Sequence, residues 1–381
     1  MPYYKVMKET EYDSIRPYHR EEIPEALKRV LDNPAFQNIL DFLFPDQDHE
    51  AIKANIAKTK SREEFHNNFM FQAISSIVSK TADDFSLSGF DKLKKDKGYV
   101  FIANHRDIIL DSSLLALGLV KTGLTSCEIT WGDNLMISPF IVDLGKINGM
   151  ITVFREGSPK EMLRNSQILS SYIRHSVTER NQSVWIAQRK GRTKDGNDKT
   201  DTSILKMLSL SGETHPPHSL KGLKIIPVTI SYEWEPCDIM KVRELYISQH
   251  QQYVKSKGED LESIIGGVVT HKGRIHLSVG KPVEEQFDQL DTSVHHNMIL
   301  EQVAKLVDKQ IHEDYHLWPS NYLAYDLLEN THKFSDKYDE KTVSIFDEKL
   351  KKLYETIDGN KNYLRTIFLK LYAHPVYNKG L

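Results

Sequence analysis

Asn104, His105 and Asp111 follow an apolar run, Tyr99–Ala103, in a stretch that reads YVFIANHRDIILD. Imidazole is the side chain whose ordinary pKa lies closest to neutrality, so it can take up a proton and give it back. A carboxylate bonded to one ring nitrogen fixes the tautomer and leaves the other nitrogen free to act as a general base. On a continuous helix, six steps of about 100° would put His105 and Asp111 on different faces. They can meet only if His105 lies in a loop and Asp111 in the first turns of the helix that follows. Asp107 is a rival partner, two residues from the histidine. The chain has 16 histidines, so a surface or core histidine is the plain alternative for this segment taken alone.

Three further segments have residue types suited to holding an anion. Gly149-Met-Ile-Thr-Val-Phe-Arg155 ends a candidate strand on an arginine three residues before Ser158. An arginine beside a helix N-terminus, with its free backbone N–H groups, can hold a phosphate. The alternative is a surface arginine paired with Glu156. Gln188-Arg-Lys-Gly-Arg-Thr-Lys194 wraps Arg189, Lys190, Arg192 and Lys194 around Gly191, which could cradle a phosphate or form a solvated loop. Ile226-Pro227-Val228-Thr229-Ile230 is a strand opening on a proline, which predicts an edge strand or the start of one.

The elements that must position these residues follow from periodicity. Through about residue 86 the chain reads as helical. Asn33-Pro34 supplies a cap and first-turn proline ahead of Phe36, Ile39, Leu40, Leu43 and Phe44. From about Arg62, a second helix puts Phe65, Phe69, Ala73 and Ile77 on one face. Residues 87–282 alternate strands and helices, with candidate strands Tyr99–Ala103, Cys127–Trp131, Met150–Phe154, Ser183–Ala187, Ile225–Tyr232 and Arg274–Val279. Ser158-Pro-Lys-Glu161 forms a capping box that starts a helix. This alternation predicts an α/β fold: a mixed central sheet flanked by helices, with an N-terminal helical bundle and C-terminal helices. Residues 283–381 are helical again and are expected to pack on the core. Ile299, Val303, Leu306 and Ile311 line one face there, and Leu364, Ile367, Phe368 and Leu371 another. Lys190–Thr202 is polar and charged, the composition of a mobile loop.

Composition narrows the classes. A net charge of −3 argues against a dedicated nucleic-acid binder. Two widely spaced cysteines, Cys127 and Cys237, suggest a reducing compartment rather than a disulfide scaffold. The first residues, MPYYKVMKETEYDSIRPYHREE, are charged throughout and unlike a signal peptide, and every apolar run is broken well short of a membrane span. The expectation is a cytoplasmic protein, at most seated on the inner face of a membrane.

Taken in order, the four segments resemble the glycerolipid acyltransferase superfamily, which includes glycerol-3-phosphate and 1-acylglycerol-3-phosphate acyltransferases. That family has N-H-x₄-D, then G-x-x-F-I-x-R, then F-P-E-G-T-R-S, then V-P-x-x-I. Asn104-His105…Asp111, Gly149…Arg155, Arg189-Lys190-Gly191-Arg192 and Ile226-Pro227 stand in those places, over about residues 98–282. Three departures mark this chain. Five residues rather than four separate His105 from Asp111, with Leu110 where the aspartate is expected. Thr152-Val153-Phe154 replaces Phe-Ile-x. Lys190 stands at the family's glutamate, with Arg192 one place early, and Glu156 is a candidate to compensate.

The resemblance implies that His105 is the general base and Asp111 its orienting carboxylate. Arg155, Arg189, Lys190, Gly191 and Arg192 would hold the acceptor's phosphate, and Asn104, Gly149 and Pro227 would support the site. It implies transfer of a fatty acyl group from a thioester, acyl-CoA or acyl carrier protein, to a hydroxyl of glycerol 3-phosphate or 1-acylglycerol 3-phosphate, with no cofactor and no metal. Two rival classes remain: a non-catalytic acyl- or lipid-binding protein of the same fold, and a metal-dependent hydrolase using His105, Asp107 and Asp111 with His271 or His276. The apolar faces of Asn33–Phe44 and Tyr363–Tyr372, the latter beside Arg365 and Lys370, could dock on a membrane or pack inside the protein.

Overall fold

The computed structural model describes residues 9–249 and 251–381; residues 1–8 of the charged N-terminal stretch lie outside it. Seven strands form one mixed sheet: β1 (Asp84–Ser88), β2 (Val100–Ala103), β3 (Glu128–Gly132), β4 (Met150–Val153), β5 (Val184–Ala187), β6 (Ile225–Tyr232) and β7 (Arg274–Val279). Their spatial order is β1-β7-β6-β2-β5-β3-β4, parallel throughout except where β6 meets β7. Six of the strands coincide with the apolar runs read from the sequence. The seventh, β1, has no such run: it is a half-exposed edge strand held by pairing with β7.

N-terminal helices α1 (Ile23–Leu31), α2 (Pro34–Leu43), α3 (His49–Ala57), α4 (Arg62–Phe65) and α5 (Phe71–Thr81) precede the sheet, with a π-helical turn, His66–Met70, joining the last two. Within the sheet region lie α6 (Leu110–Lys121), α7 (Pro139–Ile147), α8 (Pro159–Thr178), α9 (Thr202–Ser209), α10 (Asp238–Ser248) and α11 (Glu259–Val269). The chain ends on α12 (His296–Glu313), α13 (Pro319–Glu329), α14 (Glu340–Thr356) and α15 (Lys361–Asn378). Local capping starts several of these as the sequence predicts. Asn33 accepts from the Ala35 N–H ahead of α2, and Ser158 and Glu161 form a reciprocal capping box on α8.

Helices cover both faces of the sheet. Phe101, Ile226 and Ile230 share one core with Phe36, Leu40, Phe65, Phe69 and Ile77, whereas Ile102, Ile186 and Ile225 pack against α8, α9 and α12. A third cluster joins α13–α15 to Trp234 and Val242. These packings settle the two faces weighed as membrane docking surfaces: Phe36 and Leu40 of α2, and Leu364 and Phe368 of α15, are fully buried inside the protein. Among the described residues, no helix is long and apolar enough to cross a membrane.

Of the two placements expected for Pro227, the edge strand is overturned, because β6 lies between β2 and β7 in the middle of the sheet, and the start of a strand holds, because Pro227 is the third residue of β6. The strand tolerates it because antiparallel pairing with β7 starts only at Val228. The Pro227 carbonyl still accepts from the Gly280 N–H (2.9 Å), so its missing donor falls where the ladder has ended.

Candidate active site

Strands β2, β3, β4 and β5 run parallel, so the segments that leave their C-terminal ends emerge on one side of the sheet, where open α/β sheets place their ligands. Ala103 and Ala187 stand opposite each other in register. The loop after β2, with His105, and the loop after β5, with Arg189 to Lys194, therefore leave side by side. The Thr193 N–H closes the gap by donating to the His105 carbonyl (2.7 Å).

His105 lies in that loop and Asp111 in the first turn of α6, bringing His105 Nδ1 to 3.0 Å from Asp111 Oδ2. Asp111 also accepts from the backbone N–H groups of Arg106 (2.6 Å) and Asp107 (2.9 Å) and from the Tyr232 hydroxyl (2.9 Å). A carboxylate only accepts, so Nδ1 is the donor in this pair; Nε2 has no hydrogen-bond partner among the described residues, and His105 lines a cleft. The ring stands edge-on to Trp185, with centroids 5.6 Å apart. Asp107 is not the partner. Its Oδ1 accepts from the N–H groups of Ile109 and Leu110 at the start of α6, and its buried Oδ2 has no hydrogen-bond partner among the described residues. Burial, then the nearby Asp111 charge, pushes the Asp107 carboxyl above its ordinary range.

The loop is held from beneath by a buried charge network that the sequence does not advertise. Arg106 donates to Asp198 Oδ2 (2.7 Å) and Glu235 (3.3 Å), and its carbonyl accepts from Lys241 Nζ (2.6 Å). Asp198 Oδ2 also accepts from Asn104 Nδ2 (2.9 Å) and the Tyr315 hydroxyl (2.7 Å). Burial works against an ionised Asp198, but the adjacent Arg106 guanidinium with these donors holds its carboxyl below the usual range. Asn104 pins the end of β2 to β6 through both the N–H and the carbonyl of Ile230.

Asp198 belongs to Lys190–Thr202, which is not the mobile loop its composition suggests. Thr193, Asp198 and Thr200 are buried, Asp201 N–H donates to the Gln188 carbonyl, and Thr200 is bonded to Asp308 of α12. At Gly196, at positive φ, a Cβ would fall on the Leu371 carbonyl of α15, so the turn needs glycine.

The cleft, about 400 Å³, gathers Arg155, Arg189, Lys190, Gly191 and Arg192 with His105. Arg155, beyond β4, rests its guanidinium over Gly132 and beside Asn134, and no ion pair joins it to Glu156. Glu156 is exposed and outside the cleft wall, so it is not placed to offset Lys190. Of the other cations lining the cleft, Lys194 pairs with Glu244 and Lys255 with Asp260. Gly149 sits at the opposite end of β4, at positive φ against Arg62, as a turn residue away from the cleft. His271 pairs with Asp83, and His276 bonds Ser86 and Ser88; neither lines the cleft. Among the described residues, no three His, Cys, Asp or Glu side chains are grouped to hold a metal ion.

Trp131 and Leu135 form part of the cleft wall and also of a second, apolar cavity of about 180 Å³. Met70, Phe71, Ile74, Ala116, Ile141 and Leu144 are among its lining residues, and it lies between the N-terminal helices, α6 and α7. His66 shares this wall, where burial pushes its pKa down to about 4. No sequence pattern marks the chamber, because its walls come from separated segments.

No family model matches the chain, and no curated protein matches it in sequence. Among solved structures, the fold is similar to the 1-acyl-sn-glycerophosphate (LPA) acyltransferase PlsC from Thermotoga maritima, at 14% identity and a TM-score of 0.40, over 75% of this chain and 95% of that one. At that distance the likeness assigns no role to any residue.

Proposed function

We propose that this chain is an O-acyltransferase that moves a fatty acyl group from a thioester carrier to a hydroxyl of a phosphorylated glycerol acceptor, glycerol 3-phosphate or its 1-acyl derivative. The observation that carries the reading is the His105–Asp111 pair on a cleft that Arg155, Arg189, Lys190 and Arg192 also line, none of the four in an ion pair among the described residues. Nε2 takes the acceptor hydroxyl proton, the oxygen attacks the thioester carbonyl, and an ester forms as the carbon–sulfur bond breaks. The proton then passes from the imidazolium to the leaving thiolate. Asp111 keeps the ring in register and stabilises its charged form.

Arg155 with Arg192 holds the acceptor phosphate at a distance from the reacting hydroxyl, which turns binding into orientation. The apolar chamber behind Trp131 and Leu135 suits the acyl chain, which gains from leaving water there. No covalent acyl-enzyme is required, since base and acceptor meet directly.

The test is product analysis by mass spectrometry. The purified chain is offered acyl-CoA and acyl carrier protein thioesters with glycerol 3-phosphate, 1-acylglycerol 3-phosphate and unphosphorylated glycerol. Ester product from the phosphorylated acceptors, absent with glycerol and with His105→Ala, is the expected result. Donor binding without product from any acceptor would leave a binding protein of the same fold.

A further inference from the structure

Arg189 and Lys190 line two cavities at once. One is the cleft with His105; the other, about 510 Å³, extends from them to Lys199 on the loop after β5 and Lys305 on α12. No ion pair joins any of these four cations to a carboxylate among the described residues. Three carboxylates share the wall of the second cavity. Asp308 accepts from the N–H and the hydroxyl of Thr200 (2.7 and 2.6 Å), and burial pushes its carboxyl pKa up. Asp201 caps α9 through the Ser203 N–H (2.8 Å). Glu301 has no hydrogen bond or ion pair among the described residues. The cationic lining therefore continues past the cleft that holds Arg155 and Arg192, into a separate polar chamber.

We propose that this chamber is a second phosphate subsite, in which Lys199 and Lys305 act with Arg189 and Lys190 on a phosphate other than the one at Arg155. A phosphate presents two or three free oxygens and one or two negative charges, according to whether it is bridged or terminal, so it suits several separate lysine and arginine donors. It also accounts for a cation at position 190, at the junction, where it serves both chambers. Two sources supply such a phosphate: the phosphopantetheine arm common to acyl-CoA and acyl carrier protein, or a second phosphate on the acceptor. Only the identity of that carrier rests on the acyl-transfer reading; the subsite itself is read by binding.

Calorimetric titration of the full chain at low salt distinguishes these. The probes are pantetheine 4′-phosphate, pantetheine, glycerol 3-phosphate and glycerol 1,3-bisphosphate. The variants are Lys199→Gln with Lys305→Gln, both exposed positions, and Arg155→Gln. Pantetheine 4′-phosphate is expected to bind at least about tenfold more tightly than pantetheine, and the double lysine variant is expected to erase most of that advantage, tenfold being the size of one charge-assisted contact. Glycerol 3-phosphate affinity falls with Arg155→Gln and holds in the lysine variant. Lysine dependence seen with glycerol 1,3-bisphosphate instead also supports the subsite and assigns its phosphate to the acceptor. The proposal is overturned if neither probe binds, if both ignore Lys199 and Lys305, or if the lysine variant weakens glycerol 3-phosphate equally. Lysine-dependent binding in a chain that transfers no acyl group would sink the acyl-transfer reading and leave the subsite standing.

Discussion

The cleft at His105 and the chamber behind Trp131 share a wall and little else. The first, about 400 Å³, sets Arg155, Arg189, Lys190 and Arg192 beside apolar side chains that include Phe154, Met162 and Trp185; the second, about 180 Å³, is lined mostly by aliphatic and aromatic side chains, with His66 held neutral by burial. An anionic group gains from the cations of the first and is penalised in the second, whose wall has no Lys or Arg and suits only hydrocarbon. The contrast teaches that a molecule with an anionic end and an apolar end could be sorted by the fold itself. His105 stands on the side that carries the cations.

The largest effect tests what holds the polar side together. Asp198→Ala leaves Arg106 buried with one carboxylate partner fewer, and unfolding stability should fall by roughly 3–5 kcal/mol, measured by denaturant titration. A loss under 1 kcal/mol would show that the network is not what fixes the loop. Next comes the titration of the apolar side. The His66 pKa is about 4 in the fold against an ordinary 6.5, so the unfolded chain binds more protons between those values. Its share of the stability is complete above pH 6.5 and lost as the pH falls to 4, about 3 kcal/mol in all. His66→Phe should flatten the acid limb of a Tm-against-pH curve over that window; an unchanged limb would contradict the burial.

Arg155→Ala sharpens the contrast kinetically. The acceptor KM should rise about tenfold or more while the donor KM stays put, the loss of one charged hydrogen bond. Equal rises in both would remove Arg155 from the acceptor site. The smallest effect belongs to Ala116→Leu, which fills part of the apolar chamber. Stability should change by no more than about 1–3 kcal/mol, and use of long acyl donors should drop relative to short ones. An unaltered chain-length profile would move the acyl chain elsewhere.

What the sequence made legible was what is local in the chain. Six strands are contiguous apolar runs, and α8 announces itself through Ser158-Pro159-Lys160-Glu161. His105 and Asp111 are close enough in sequence that strand, loop and helix turn decide their meeting. The edge strand β1 was hidden because Asp84–Ser88 is half-exposed and gains its identity only by pairing with β7, far along the chain. Asp198 was hidden for a similar reason: a charged run reads as solvated until Arg106, 92 residues away, is seen beside it. Pro227 left edge strand and strand start both open, because proline excludes a central strand only where its missing donor would face a partner. The apolar chamber, assembled from α5, α6, α7, α11 and the π-helical turn, has no one-dimensional signature.

In the proposed reaction His105 activates an acceptor hydroxyl against a thioester. The most direct measurement is the rate of thiol release from an acyl thioester donor, with and without a phosphorylated glycerol acceptor, by the unaltered chain and by His105→Ala. Release that requires the acceptor and falls by about 10²–10⁴ in the variant is the expected result. Acceptor-independent release, or an equal rate from His105→Ala, would contradict it.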